Sequence, residues 1–66
     1  MKITCNGETK EIPSNTTLAS FITDMNLNPD TVVAECDSRI IKRAEYDTLI
    51  LSDGNVLELI RFVGGG

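Results

Sequence analysis

Leu18, Phe21, Ile22 and Met25 recur at i, i+3, i+4 and i+7, the spacing that lines one face of an α-helix. It is the single clear helical stretch, and strand-like patterns stand on both sides of it. A lone amphipathic helix in such company has only a sheet to bury its apolar face against. Thr17, or alternatively Thr16, is placed to accept an orphan amide hydrogen as N-cap. The helix ends near Asn26, and Pro29 bars any continuation.

Ahead of the helix, Met1, Ile3 and Cys5 alternate with Lys2 and Thr4, and Asn6-Gly7 follows. That dipeptide suits a two-residue hairpin because both positions accept positive φ. Glu8 to Ile12 returns as the second strand, with Met1 facing Ile12 if the loop has two residues. Lys10 falls on the apolar side of that register, a conflict that an edge position relieves. Beyond the helix, Thr31 to Cys36 reads as a strand, Asp37-Ser38 as a turn, and Arg39-Ile40-Ile41 as a short strand ended by Lys42-Arg43. Ala44 to Asp47 is a single helical turn or irregular, Thr48 to Leu51 a short apolar strand, Asp53-Gly54 a turn, and Val56 to Val63 the longest strand candidate.

The order predicts an α+β roll: a mixed sheet of four to five strands with one main helix packed across it. If the last strand lies beside the first, the two run parallel, since the helix sits in the connection between them. Residues 1–63 are expected to form the domain and residues 64–66 a flexible glycine tail.

A chain of 66 residues makes one domain and buries only about 60% of the surface its unfolded form exposes, which leaves little room for an enclosed active site. Six Lys and Arg against ten Asp and Glu give a net charge of −4, which repels a phosphate backbone and provides no basic stripe for nucleic acid. The same acidic excess favours docking on a basic partner surface. Histidine is absent, and with it the usual general base and the commonest metal ligand. Cys5 and Cys36 are far apart in sequence, with no second Cys or His near either, so spacing excludes a zinc or CxxC site. Both read as small buried hydrophobes on strands, with a disulfide as the lesser alternative. Asp53-Gly54-Asn55 lacks the bidentate Glu and ligand spacing of a calcium loop. No apolar stretch is long enough to span a bilayer and no signal sequence is recognisable, so a cytoplasmic monomer is expected.

Chemistry therefore has no side-chain home, and the remaining feature is the end. Val56 to Val63 runs directly into Gly64-Gly65-Gly66, a tail without Cβ atoms that can enter a narrow channel and adopt angles closed to other residues. Taken alone, a glycine triplet reads more readily as a linker remnant or a frayed end. The strand before it adds a second hint. With Leu57 and Leu59 inward, Val56, Glu58, Ile60 and Phe62 turn outward, and exposed apolar groups beside a bare tail make a docking patch in which Ile60, Phe62 and Val63 are the candidates. The alternative is a strand buried on both faces.

Several short stretches taken together resemble the ThiS family. They are Asn6-Gly7 after an opening strand, Thr17-Leu18 at the start of the helix, Ile40-Ile41-Lys42-Arg43, Tyr46, Leu51-Ser52-Asp53-Gly54 and the ending Val63-Gly64-Gly65-Gly66. The likeness spans essentially the whole chain. The sequence departs from the family pattern at Lys42, where a proline is commoner, at Asp37-Ser38, where Asn-Gly is commoner, and at Asn55, where a second aspartate is commoner. The resemblance implies a ubiquitin-like β-grasp fold and a sulfur carrier of thiamin biosynthesis. Its Gly66 carboxylate would be adenylated with MgATP by a ThiF-like adenylyltransferase and converted to a thiocarboxylate with sulfur from a cysteine desulfurase or another donor. A ThiG-like thiazole synthase would then receive the sulfur. Gly64 and Gly65 would thread the tail, and the carrier itself would hold no permanent cofactor or metal and catalyse nothing. A carrier for molybdopterin, a ubiquitin-like protein modifier and a plain interaction module remain open alternatives.

Overall fold

A computed structural model describes residues 1–61. Strands β1 (Lys2–Cys5) and β2 (Glu8–Glu11) precede helix α1 (Leu18–Asp24), and β3 (Val32–Cys36), β4 (Arg39–Ile41) and β5 (Val56–Arg61) follow it. Single 3₁₀ turns occupy Pro29–Thr31 and Arg43–Glu45. Among the described residues the sheet has five strands in the order β2-β1-β5-β3-β4. The first and last strands lie side by side and parallel, with Thr4 opposite Val56 and Cys5 opposite Leu57; the other neighbours are antiparallel.

The opening hairpin has the expected two-residue loop. Asn6 and Gly7 both take positive φ, 50° and 83°, and the pairing of Cys5 with Glu8 through Lys2 with Glu11 brings Met1 against Ile12. There the terminal ammonium donates to the Ile12 carbonyl at 2.8 Å and the Ile12 amide donates to the Met1 carbonyl at 2.9 Å. β2 is an edge strand, so Lys10, opposite Ile3, can bury its stem and keep its ammonium in water.

Helix α1 starts where Thr17 caps it: the Thr17 hydroxyl accepts from the Ser20 amide at 3.1 Å. Thr16 instead donates its hydroxyl to the Pro13 carbonyl. The helix stops in a Schellman arrangement. Asn26 takes φ 62°, its amide donates to the Thr23 carbonyl, and the Leu27 amide donates to the Ile22 carbonyl.

Thr48 to Leu51 is not a strand, contrary to its β-like composition. Only Ile50 makes a bridge, with Thr17, because the segment's polar groups serve the start of the helix instead. The Leu18 amide donates to the Leu49 carbonyl, the Ala19 amide to the Tyr46 carbonyl, and the Leu51 amide to the Thr16 carbonyl, each at 2.9 Å. Helix amides that have no partner within their own first turn are thus satisfied by a loop more than twenty residues away. Thr31 likewise belongs to the 3₁₀ turn rather than to β3.

The core forms between α1 and the inner sheet face. Leu18, Phe21 and Ile22 meet Ile3, Cys5, Val32, Ala34, Leu57 and Leu59, and Tyr46 and Leu51 close the side; Met25 is only half-buried against it. Each fully buried aliphatic side chain contributes roughly 2 kcal/mol relative to exposure. Tyr46 carries a polar handle into this core. Its hydroxyl donates to the Val32 carbonyl at 2.7 Å and accepts from the Ala34 amide at 3.1 Å. β4 ends at the residue facing Ala34, so the phenol serves a carbonyl of β3 that lies beyond the reach of that short strand.

Candidate functional site

The strand that leads to the glycines occupies the middle of the sheet, with β1 on one side and β3 on the other. Alternation sorts its residues cleanly: Leu57 and Leu59 are 0% and 7% exposed, whereas Val56 and Ile60 are 47% and 54% exposed, with Glu58 exposed between them. The helix covers one face only, so the two-face burial considered for this strand does not occur over Val56 to Arg61. Ile60 lies on the open face as expected. Phe62, Val63, Gly64, Gly65 and Gly66 lie outside the described residues, as does the predicted boundary between domain and tail.

Two polar side chains, neither singled out from sequence for this task, hold β5 in place. Asn6 lies just past the end of β1, and its amide behaves like one more peptide unit. The oxygen accepts from the Leu59 amide at 2.8 Å, the nitrogen donates to the Leu59 carbonyl at 3.3 Å, and the Asn6 backbone amide donates to the Leu57 carbonyl at 2.9 Å. At the other end, the Asp37 carboxylate accepts from the Val56 amide and from the Asn55 side chain, both at 2.8 Å, while its own amide donates to the Val56 carbonyl. Asp37 and Asn55 are two of the three departures from the family pattern, and they touch: one carboxylate and one amide face each other across the turns. An asparagine before glycine reads as a turn residue, which is why its second task as a strand mimic was not legible.

The outer face continues onto the neighbouring strands. Val33 faces Ile60, Glu35 faces Glu58, and Ile40 of β4 faces Glu35 with 71% of its surface exposed. The ion pairs of the described residues, Lys10 with Glu8 and Arg43 with Asp30, include neither of these two glutamates.

The inner face, by contrast, carries both thiols. Cys5 and Cys36 flank Leu57 from opposite strands, which places their backbones two strand spacings, roughly 10 Å, apart. A disulfide requires Cα atoms within roughly 7 Å, and both cysteines are free. Burial pushes both thiols above their ordinary pKa; Lys10 partly opposes this at Cys5, and Asp37 adds to it at Cys36. They are packing residues rather than nucleophiles. Among the described residues there is no pocket and no group of three potential metal ligands, and no helix is long and apolar enough to cross a membrane.

A mixed five-stranded sheet with one helix across a single face, and a central parallel strand that leads from the core toward the chain end, is a ubiquitin-like β-grasp roll. The crystal structure of a thiamine biosynthesis protein (ThiS) from Geobacter metallireducens superposes with a TM-score of 0.84, covering all of both chains at 22% identity. The NMR solution structure of a thiamine biosynthesis protein from the same organism gives 0.79, over all of this chain and 88% of that one. In sequence, a thiazole synthase of Magnetococcus marinus is 30% identical over all 66 residues and one of Paramagnetospirillum magneticum 27%. This chain spans about a fifth of the length of those two proteins, 20% in each case. The model of the ThiS family matches residues 2–66. The chain belongs to the ThiS family.

Proposed function

We propose that the chain carries sulfur as a thiocarboxylate on Gly66 and delivers it for thiazole formation. The observation that carries this reading is that the family match runs through residue 66 and so includes Gly64-Gly65-Gly66, while the described residues supply neither a pocket nor a metal-ligand cluster. The position of β5 supports it. A strand fixed by Asn6 on one side and by β3 on the other gives a following tail a rigid origin.

The proposed chemistry requires a carboxyl terminus at Gly66. An α-carboxyl group, with a pKa of about 3.5, is an anion at neutral pH and resists nucleophiles until one oxygen becomes part of a leaving group. A ThiF-like adenylyltransferase using MgATP joins that oxygen to the α-phosphorus of ATP, giving an acyl-adenylate, a mixed anhydride, with release of pyrophosphate. A sulfur nucleophile then displaces AMP at the acyl carbon: sulfide gives the thiocarboxylate directly, whereas a cysteine desulfurase persulfide gives an acyl disulfide, whose S–S bond a thiol cleaves to release the thiocarboxylate and leave a disulfide on the donor. The partner enzyme supplies the metal and the alignment, and the carrier is its substrate. The two relatives named thiazole synthase, each with a region like this chain within it, support a thiazole synthase as the acceptor partner rather than a molybdopterin-type acceptor.

Deleting Gly66 tests the reading. The expected result is a folded protein with unchanged thermal unfolding that no longer supports thiazole synthesis. Intact mass of the parent protein should rise by the difference between sulfur and oxygen after incubation with the adenylyltransferase, MgATP and a sulfur source. A truncated chain that still supports synthesis, or a native protein that continues past Gly66 and remains active uncleaved, would overturn it.

A further inference from the structure

Asn6 stands before Gly7, whereas Asn15, Asn26, Asn28 and Asn55 stand before Thr16, Leu27, Pro29 and Val56. The difference matters because a backbone nitrogen can attack the carboxamide carbon of the asparagine that precedes it. A Cβ on the attacking residue obstructs that approach, and glycine has none; proline has no N–H to lose. Asn6 and Gly7 are both exposed, and apart from its chain neighbours nothing lies within 4 Å of where a Cβ on Gly7 would be. Among the described residues the Gly7 amide donates to no backbone carbonyl. Water and base therefore reach the one asparagine whose successor leaves it open to attack. What opposes the reaction is the grip on β5: Asn6 Oδ1 accepts from the Leu59 amide at 2.8 Å and Nδ2 donates to the Leu59 carbonyl at 3.3 Å. Closing a ring onto the Gly7 nitrogen turns the carboxamide away from β5 and breaks both bonds.

We propose that Asn6 is a site of spontaneous covalent modification, deamidation through a succinimide, and that the two hydrogen bonds to Leu59 set its rate by holding the carboxamide until the end of β5 separates from β1. In the first step the Gly7 nitrogen gives its proton to base and bonds to Asn6 Cγ; the Cγ–Nδ2 bond breaks, and Nδ2 leaves as ammonia with a proton taken from water. Water then opens the imide at either carbonyl, so one water is consumed, one ammonia is released and no oxidation state changes. Opening at Cγ leaves an ordinary aspartate. Opening at the main-chain carbonyl leaves isoaspartate, whose backbone runs through the former side chain and is one methylene longer. Aspartate keeps an acceptor for the Leu59 amide but sets an oxygen against the Leu59 carbonyl that Nδ2 had served, which leaves that carbonyl without its donor. Isoaspartate disturbs the turn as well, since a longer backbone no longer fits the two-residue loop that joins Cys5 to Glu8. Either product loosens the strand that leads toward the glycines, so the site ties the chemical age of the protein to how firmly β5 is held. The modification requires nothing of the sulfur chemistry proposed for Gly66.

The test incubates the full chain at mildly alkaline pH with its thiols kept reduced, once folded and once unfolded in guanidinium chloride, and follows both by peptide mass mapping and an isoaspartate methyltransferase assay. The peptide holding Asn6 is expected to gain the mass difference between an amide NH2 and a hydroxyl, while the peptides holding Asn15, Asn26, Asn28 and Asn55 keep their mass over the same period. The unfolded chain is expected to react about tenfold faster or more, because the folded one must first open locally at β5. Gly7→Ala, compared in the unfolded state where folding is not at issue, is expected to slow the reaction severalfold. The isoaspartate form carries an added negative charge and is separated from the parent by ion exchange; its Leu59 amide is expected to exchange hydrogen faster. An unfolded chain in which Asn6 reacts no faster than the other asparagines would overturn the site. Equal rates in the folded and unfolded chains would overturn the protection by Leu59, and unchanged exchange at Leu59 in the isoaspartate form would overturn the link to β5.

Discussion

The two faces of β5 are drawn from alternate residues of one short strand, yet they respond to different demands. Leu57 and Leu59 point at α1 and are almost wholly buried, while Val56, Glu58 and Ile60 point away from it into solvent. The inner residues are what a helix-covered sheet requires. The outer ones include two exposed β-branched side chains and an acid facing another acid, none of which the fold needs. The lesson is that a strand position can be judged by what its removal does: inner positions should register in stability, outer ones in recognition.

Leu57→Ala should break the comparison most forcefully. Leu57 is fully buried between β1 and β3, so truncation removes apolar contact and leaves a cavity, at about 3 kcal/mol, a large share of the stability of so small a domain. Chemical denaturation with an unchanged m-value is the measurement; a loss below about 1 kcal/mol would mean the core collapses around the gap.

Tyr46→Phe comes next. It keeps the ring but leaves the Val32 carbonyl and the Ala34 amide without the hydroxyl that serves both, which is expected to cost about 1–3 kcal/mol. Faster amide hydrogen exchange at Ala34 should accompany the lower denaturation midpoint.

Ile60→Ser on the open face should change stability by less than about 0.5 kcal/mol and yet weaken association with the thiazole synthase. Equal losses of stability for Ile60→Ser and Leu57→Ala would erase the distinction between the faces.

The two hairpin turns show how far local sequence reaches. Asn6-Gly7 and Asp37-Ser38 both adopt two successive positive φ values. The first was legible as a two-residue turn because asparagine and glycine tolerate that backbone at little cost. The second was legible only as a turn, since a serine at φ 70° follows from no local preference. Its conformation is supported from outside, by the bonds from Val56 and Asn55 to the Asp37 carboxylate. The same contrast separates the helix from the segment 48–51. The helix declared itself by spacing and by the Thr17 cap, whereas Leu49 and Leu51 look like strand residues and are diverted to the helix start by amides that needed partners.

By itself, then, the sequence determined the elements whose cause is local: the one helix, the Asn-Gly hairpin and the alternation along β5. Periodicity, capping and backbone freedom act between residues a few positions apart, so they can be read from the chain. Tertiary structure alone decided that β1 and β3 place the two thiols on opposite sides of Leu57, beyond bonding distance. It also decided that Asn6 serves β5 as well as its own turn, and that Glu35 meets Glu58. Each of these depends on sheet register, and register is fixed by packing every apolar side chain against the helix at once, a condition that no short window of sequence contains.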